Sequence, residues 1–214
     1  MRKPARVEQA VEEPVREDRF PHERVVNFCD AVFAIVITLL AIELRLPGSE
    51  LIEQVGTDQV WGETAGLLVS YVISFFVTAL FWVGHMLTWK HVRRVNGTLV
   101  WLALLQLFFV VLMPFATRQV SEHFVVYALV LTGISLFFWL IRRTVVKQED
   151  LRARLGPAQT QLLLVRGLIP LLVFASAIPL GLFVTGKWAV LVFALIFPLS
   201  MLARRRILAR DVSV

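Results

Sequence analysis

Three polar side chains, Asp30, Trp82 and His85, lie inside apolar stretches and combine a carboxylate, an indole N–H donor and an imidazole. Asp30 follows Arg24 by six residues, which is roughly 9 Å at a helical rise of ~1.5 Å per residue. His85 precedes Lys90 by five residues, or about 7.5 Å, and Trp82 lies one turn earlier on the same helical face. If the two stretches cross a membrane in opposite directions, the three side chains lie at a similar depth below the same membrane surface and can contact each other.

A charged carboxylate without a partner inside a membrane costs at least ~2.5–3.5 kcal/mol. We therefore expect Asp30 to accept a hydrogen bond from Trp82 or His85. The contact has two interpretations: a structural clamp between two helices, or a proton relay or cation site. One carboxylate and one imidazole do not make a continuous proton path, which favours the clamp, and the second interpretation stays open.

The stretch around Asp30 also carries apolar residues at helical spacing, namely Ile35, Leu39 and Ile42. At about 100° per residue they project along one line, within ~40° of each other. Thr38 lies at the flank of this line, and Asp30 lies on roughly the opposite side. One face of the helix can therefore bind its own chain, while the other presents branched apolar side chains and a hydroxyl. Periodicity alone leaves ordinary helix packing open for this second face.

The elements that position these residues follow from composition. Of the 214 residues, 57% are hydrophobic and 18% are charged, whereas an ordinary soluble domain is ~45–50% apolar. Runs of roughly 20 apolar residues span a bilayer, so the sequence predicts an all-α, polytopic integral membrane protein with six transmembrane helices. The runs cover residues 26–46, 65–89, 98–117, 123–141, 162–184 and 187–203. We expect a disordered cytoplasmic tail at 1–20, a transmembrane domain at 21–206 and a short cytoplasmic tail at 207–214.

The positive charges are distributed unevenly between the loops. With six spans, 19 of the 22 Lys and Arg residues fall on the side of the two termini. The positive-inside rule then places both termini in the cytoplasm. The basic excess is therefore explained by membrane topology, and we expect no nucleic-acid partner.

Catalytic signatures are not evident in the sequence. It has no nucleophile elbow and no phosphate-binding loop, and its four His residues lack the spacing of metal ligands. The connections between the apolar runs are too short for a soluble catalytic domain. We therefore expect no enzyme activity, no cofactor and no resident metal.

Several ordered motifs between about residues 20 and 120 resemble the transmembrane protein 175 family of potassium channels. "RVVNFCDAVFAIVITLLAIEL", Arg24 to Leu44, is similar to the family pattern Arg, three residues, Phe-Ser-Asp, then a Val-Phe-Ala-Ile run and Thr-Leu-Leu. "FWVGHMLTWKHVRRVNGTLVWL" resembles its second span, with Trp and His, followed by the Asn that opens the third. "MPFAT", Met113 to Thr117, is similar to the motif that closes the third span.

The resemblance implies a prokaryotic plasma-membrane channel in which four chains, each one six-span repeat, surround a central pore lined by the first helix of each. Carried over by motif, Ile35 is the constricting residue, Leu39 and Ile42 form the next apolar layers, and Thr38 supplies a hydroxyl. The partners would then be other copies of the chain, membrane lipids and permeant monovalent cations. The resemblance also implies a packing network behind the pore helix, formed by Arg24, Phe28, Cys29, Asp30, Trp82 and His85.

Selectivity has to come from side chains, because no segment resembles the Thr-Val-Gly-Tyr-Gly carbonyl filter of common potassium channels. One hydroxyl layer at Thr38 replaces few water ligands, so we expect modest selectivity for potassium over sodium. Cys29 departs from the usual Ser of the family, and a thiol is a weaker hydrogen-bonding group than a hydroxyl. The alternative function is a proton-coupled secondary transporter that uses Asp30 and His85, although the first span lacks the Gly or Pro break of a discontinuous substrate helix.

Overall fold

A computed structural model describes residues 19–42, 44, 57–148, 151, 155–183 and 196–212. The described chain is helical apart from two short strands that pair with each other. The elements are β1 (Arg19–Phe20), α1 (His22–Ile42), α2 (Thr57–Trp89), β2 (Val95–Asn96), α3 (Gly97–Val111), α4 (Met113–Arg118), α5 (Phe124–Lys147), α6 (Pro157–Phe183) and α7 (Ile196–Val212).

Five helical segments of the described residues are long and apolar enough to cross a membrane. They correspond to the first five predicted runs, with ends shifted by up to six residues, and α3 and α4 together form the third. The predicted sixth span is not established, because residues 187–195 lie outside the described part and α7 begins only at Ile196. The expected tail at 1–20 also lies outside it, except for β1, and α7 runs past the expected boundary at 206.

The short β1–β2 ribbon holds the start of α1 beside the start of α3. Arg19 pairs with Asn96 and Phe20 with Val95 in antiparallel register. Asn96 is also the N-cap of α3, where its side chain accepts a hydrogen bond from the backbone N–H of Leu99 at 3.1 Å. An Asn cap satisfies an otherwise unpaired N–H of the first helical turn, so this position fixes where the third span begins.

The third span is broken close to its end by Pro114. Proline has no N–H to donate within the helix, and the chain restarts as α4 with Pro114 in its first turn. Thr117 closes this short helix by donating its hydroxyl hydrogen to the Met113 carbonyl at 2.8 Å. Both Met113 and Thr117 are buried, so the break anchors this end of the span in the core.

Helix packing divides the chain into a tight core and a more exposed first helix. α5 packs against α3 and α6, and α6 in turn packs against α7. α1 contacts α2, α3 and α4 through buried residues on one side only. These are Cys29, Phe33, Val36 and Leu40. The opposite face of α1 stays exposed along its second half, at Ile35, Leu39 and Ile42.

Candidate functional site

Asp30 and Trp82 form the polar contact between α1 and α2. Trp82 Nε1 donates a hydrogen bond to Asp30 Oδ1 at 3.0 Å, and both side chains are half-buried. A hydrogen bond to a charged group is worth about 1.5–3 kcal/mol. The contact therefore holds the carboxylate on the side of α1 that faces its own chain.

His85 lies one turn further along α2 and has no exposed surface. Its ring packs between Phe33 and Trp89, with both centroid distances 5.5 Å. Within the part of the chain that the structure describes, neither ring nitrogen makes a hydrogen bond, so Asp30 is held by Trp82 and not by His85. The amide of Gln106 in α3 lies close enough to His85 to interact with it, and it meets no partner at full hydrogen-bond geometry among the described residues. Gln106 therefore joins this buried polar layer, although it was not among the predicted site residues.

The predicted apolar stripe lies on the unpacked face of α1. Ile35 is 57% exposed, Leu39 38% and Ile42 64%. Only 22% of this candidate span is buried within the chain. The packing of the described part of the chain therefore does not account for the stripe, whose three large aliphatic side chains are exposed in it.

Thr38 is exposed between these apolar residues. Its hydroxyl donates a hydrogen bond to the Ile35 carbonyl of its own helix at 2.7 Å. A hydroxyl that donates its only hydrogen to the backbone keeps its oxygen lone pairs for another partner. Thr38 is thus able to act as an acceptor or as a cation ligand on this face.

Arg24, Phe28 and Cys29 line a cavity of about 210 Å³ between α1 and α3. Cys29 is 1% exposed, whereas Arg24 and Phe28 are exposed and lie on the same side of α1 as Ile35. The structure thus brings Cys29 to the buried side of α1 together with Asp30. It places Arg24 and Phe28 on the exposed side, away from the contact between Asp30 and Trp82.

A second buried polar cluster surrounds Arg142 of α5, which lies one residue beyond the predicted span 123–141. Arg142 is 5% exposed, and its Nε donates a hydrogen bond to Thr88 Oγ1 of α2 at 2.9 Å. Its Nη1 donates to the Leu163 carbonyl of α6 at 3.2 Å. The predicted span ends at residue 141 because an arginine follows it. The helix itself continues to Lys147, so Arg142 lies inside α5.

A family model described as "Endosomal/lysosomal potassium channel TMEM175" matches residues 24–114. A potassium channel of Streptomyces collinus is 33% identical over 138 residues, which cover 56% of this chain and 65% of that protein. The endosomal/lysosomal proton channel TMEM175 of Bos taurus is 32% identical over 105 residues, covering 46% of this chain and 22% of that protein. The match thus spans less than two thirds of either relative.

The fold is similar to that of a solved structure. The crystal structure of a lysosomal potassium-selective channel TMEM175 homolog from Chamaesiphon minutus has a TM-score of 0.70 at 22% identity. The match covers 85% of this chain and 97% of the other. The matched segment of the family model contains nearly all of α1 and the whole of α2 and α3, and therefore Asp30, the stripe and His85.

Proposed function

We propose that the chain is a member of the TMEM175 family and forms a potassium-permeable cation channel. The relatives are described as ion channels and not as enzymes. Four copies would surround an axis, with α1 of each lining the pore. The main observation that supports this proposal is that α1 buries one face in its own chain, whereas Ile35, Leu39 and Ile42 are exposed on another face.

Several copies are needed because one helix cannot enclose a pore. Lipid-facing helices tolerate exposed apolar residues, so exposure by itself does not distinguish a pore from a lipid contact. The position of Thr38 supports the pore, because its hydroxyl oxygen lies among the exposed aliphatic residues with lone pairs available. In a ring of copies, this oxygen would meet a permeating cation.

The proposed constriction consists of rings of Ile35 and Leu39. A ring of branched apolar side chains gates by excluding water and requires a cation to shed its hydration shell. Potassium sheds water more readily than sodium, and the Thr38 ring replaces some of the lost ligands. Because one hydroxyl layer replaces few ligands, selectivity for potassium over sodium should be modest.

The clamp between Asp30 and Trp82 has a supporting role in this mechanism. It fixes the rotation of α1, so that the carboxylate faces α2 and the aliphatic residues face away from it. The orientation in a prokaryotic plasma membrane follows the basic residues, with both termini cytoplasmic. No cofactor takes part, and the permeant ion is the only ligand proposed for the pore.

The experiment that tests this function is cation flux into proteoliposomes that contain the full chain. A channel predicts potassium flux that follows the potassium gradient, stays linear with concentration over a wide range and exceeds sodium flux. A proton-coupled transporter that uses Asp30 and His85 predicts saturable flux that requires a proton gradient. Proton flux without potassium flux would instead indicate a proton channel, and the absence of all flux after verified reconstitution would contradict any transport function.

A further inference from the structure

Arg142 is held rigidly within the helix bundle. Besides its hydrogen bonds to Thr88 and to the Leu163 carbonyl, its guanidinium lies over the Phe138 ring, 4.0 Å from the ring centroid. Thr88 completes the chain of hydrogen bonds by donating its own hydroxyl hydrogen to the Gly84 carbonyl at 2.8 Å. An arginine carries five N–H donors, and these two bonds use the Nε and Nη1 nitrogens.

Two glycines make the space that Arg142 and its neighbours occupy. A Cβ at Gly84 would lie 2.8 Å from Phe138 Cζ, which is too close for the ring under the guanidinium to keep its place. A Cβ at Gly167 would lie 3.1 Å from Arg142 Cδ. The aliphatic part of Arg142 thus lies close to the α6 backbone at Gly167. Its Nη2 lies on the side of α2, 3.8 Å from where a Cβ of Gly84 would be.

Arg142 borders a cavity of about 400 Å³ between α2, α5, α6 and α7. Arg166 of α6 borders the same cavity and acts electrostatically on Arg142. The other lining residues are mainly apolar, among them Leu80, Val83, Leu87 and Phe174. Leu80 is 68% exposed and Leu87 51%, so the cavity opens onto the outer surface of the described bundle, along the candidate membrane span of α2.

The charge of this cavity is not balanced by the described part of the chain, in which no carboxylate forms an ion pair with Arg142 or Arg166. Further cations lie at the same end of the bundle, since Arg143 and Lys147 follow on α5 and Arg205 and Arg206 follow on α7. Two arginines at a half-buried apolar site repel each other, and an anion between them would relieve that repulsion.

We propose that this cavity binds the headgroup phosphate of an anionic phospholipid from the leaflet at the basic end of the bundle. The phosphate would bind Arg142 and Arg166, and an acyl chain would lie along Leu80, Val83 and Leu87 of α2. Arginine pairs well with phosphate oxygens because its planar group donates two parallel hydrogen bonds. Basic pockets between transmembrane helices on the cytoplasmic side are suited to such headgroups.

The size and surroundings of the cavity favour a lipid over a free anion. One water molecule takes about 30 Å³ in the liquid, so a cavity of about 400 Å³ exceeds what one small ion fills. The apolar residues that continue from it are suited to hydrocarbon, because they are exposed and lie within a candidate membrane span. A free phosphate would leave this apolar part of the cavity without a partner.

The test is lipid binding to the full chain in neutral detergent, measured by native mass spectrometry. Dioleoyl phosphatidylglycerol is titrated beside dioleoyl phosphatidylcholine, which has the same acyl chains but no net charge. The variant is Arg166→Gln, because Arg166 is exposed and its loss should leave the fold intact. The matched control is Arg143→Gln, whose guanidinium lies over the Trp139 ring, 5.2 Å from its centroid, and does not border the cavity.

We expect the wild type and Arg143→Gln to bind phosphatidylglycerol alike and more tightly than phosphatidylcholine. Arg166→Gln should weaken phosphatidylglycerol binding by about fivefold, as expected for the loss of one arginine near an anionic lipid. Equal binding of the two lipids, or equal losses in both variants, would overturn the proposal. Displacement of phosphatidylglycerol by millimolar inorganic phosphate at constant ionic strength would also overturn it, by showing that the ligand is the free anion.

Discussion

Asp30 and Ile35 project from different sides of the same helix, one towards α2 and the other away from the chain. Asp30 accepts a hydrogen bond from Trp82 Nε1 at 3.0 Å, whereas Ile35 is 57% exposed. The step of five residues from Asp30 to Ile35 corresponds to a rotation of about 500°, or roughly 140° around the helix axis. Any force that holds Asp30 against α2 therefore also directs Ile35 away from it, so one hydrogen bond sets the orientation of the proposed constriction.

The first prediction concerns that hydrogen bond. Trp82→Phe keeps an aromatic ring but removes the N–H donor, which leaves the half-buried Asp30 carboxylate without this partner. We expect the free energy of unfolding to fall by about 1.5–3 kcal/mol, measured by denaturation of the detergent-solubilised protein. Adding Asp30→Asn to Trp82→Phe should recover part of the loss, because the unpaired charge is gone. A double variant less stable than the sum of both single variants would contradict this explanation.

The second prediction concerns the exposed stripe. Ile35→Asn should wet the proposed constriction, raise potassium flux and reduce the preference for potassium over sodium. A fall of about 1.4 kcal/mol in the barrier corresponds to about tenfold faster flux, measured in proteoliposomes at matched protein content. The matched control is Leu129→Asn, which places the same amide at an exposed apolar position of α5. Equal flux changes in the two variants would show that Ile35 has no special position.

Some of this arrangement follows from the sequence alone. The spacing of Ile35, Leu39 and Ile42 predicts one helix face, and the structure leaves that face unpacked. The distances of Asp30 from Arg24 and of His85 from Lys90 along the sequence place Asp30, Trp82 and His85 at a similar depth in the membrane. They do not show which of the two donors, one helical turn apart, binds Asp30. That choice depends on the rotation of α2 about its axis, to which the contact of Phe33 of α1 with the His85 ring contributes.

Other features depend on tertiary packing that a hydropathy pattern does not contain. The hydropathy pattern predicts that the span ends before Arg142. The residue is nevertheless buried, because Thr88 and the Leu163 carbonyl accept its hydrogen bonds and Gly167 leaves space for its aliphatic part. These partners come from two other helices, α2 and α6, and lie 54 and 21 residues away for the two hydrogen bonds. Local periodicity identifies neither the partners nor the cavity that Arg142 borders.

The third prediction distinguishes the effect of the Thr38 hydroxyl from the effect of the side chain's shape. Thr38→Val keeps the branched side chain and removes the oxygen whose lone pairs face the proposed pore. We expect total potassium flux to persist while the permeability ratio of potassium to sodium falls by up to about fivefold, the equivalent of about 1 kcal/mol. The ratio is measured from reversal potentials in planar bilayers. Thr38→Ser, which keeps the oxygen, should retain the ratio, and its loss in Thr38→Ser would contradict a role for the hydroxyl as a ligand.

The fourth prediction tests which face of α1 meets water. Cys29 is the single cysteine and is 1% exposed, so a charged thiol reagent should not label the folded wild type. In a Cys29→Ser background, Ala31→Cys places a thiol on the exposed face, one turn before Ile35. Thiol modification requires the thiolate and therefore access to water. We expect reaction when the reagent is on the side of the α1 N-terminus and slow reaction from the other side.

The control for the labelling experiment is Leu129→Cys, which exposes a thiol to lipid on α5 and should stay unmodified from either side. Adding Ile35→Asn to the Ala31→Cys variant should speed its reaction from the far side, because water and the charged reagent then cross the wetted ring. Equal labelling at Ala31 and Leu129, or labelling at Ala31 that Ile35→Asn leaves unchanged, would mean that the exposed face of α1 does not line a water-filled path. In that case the pore would not be lined by α1, and the contact between Asp30 and Trp82 would have a purely structural role.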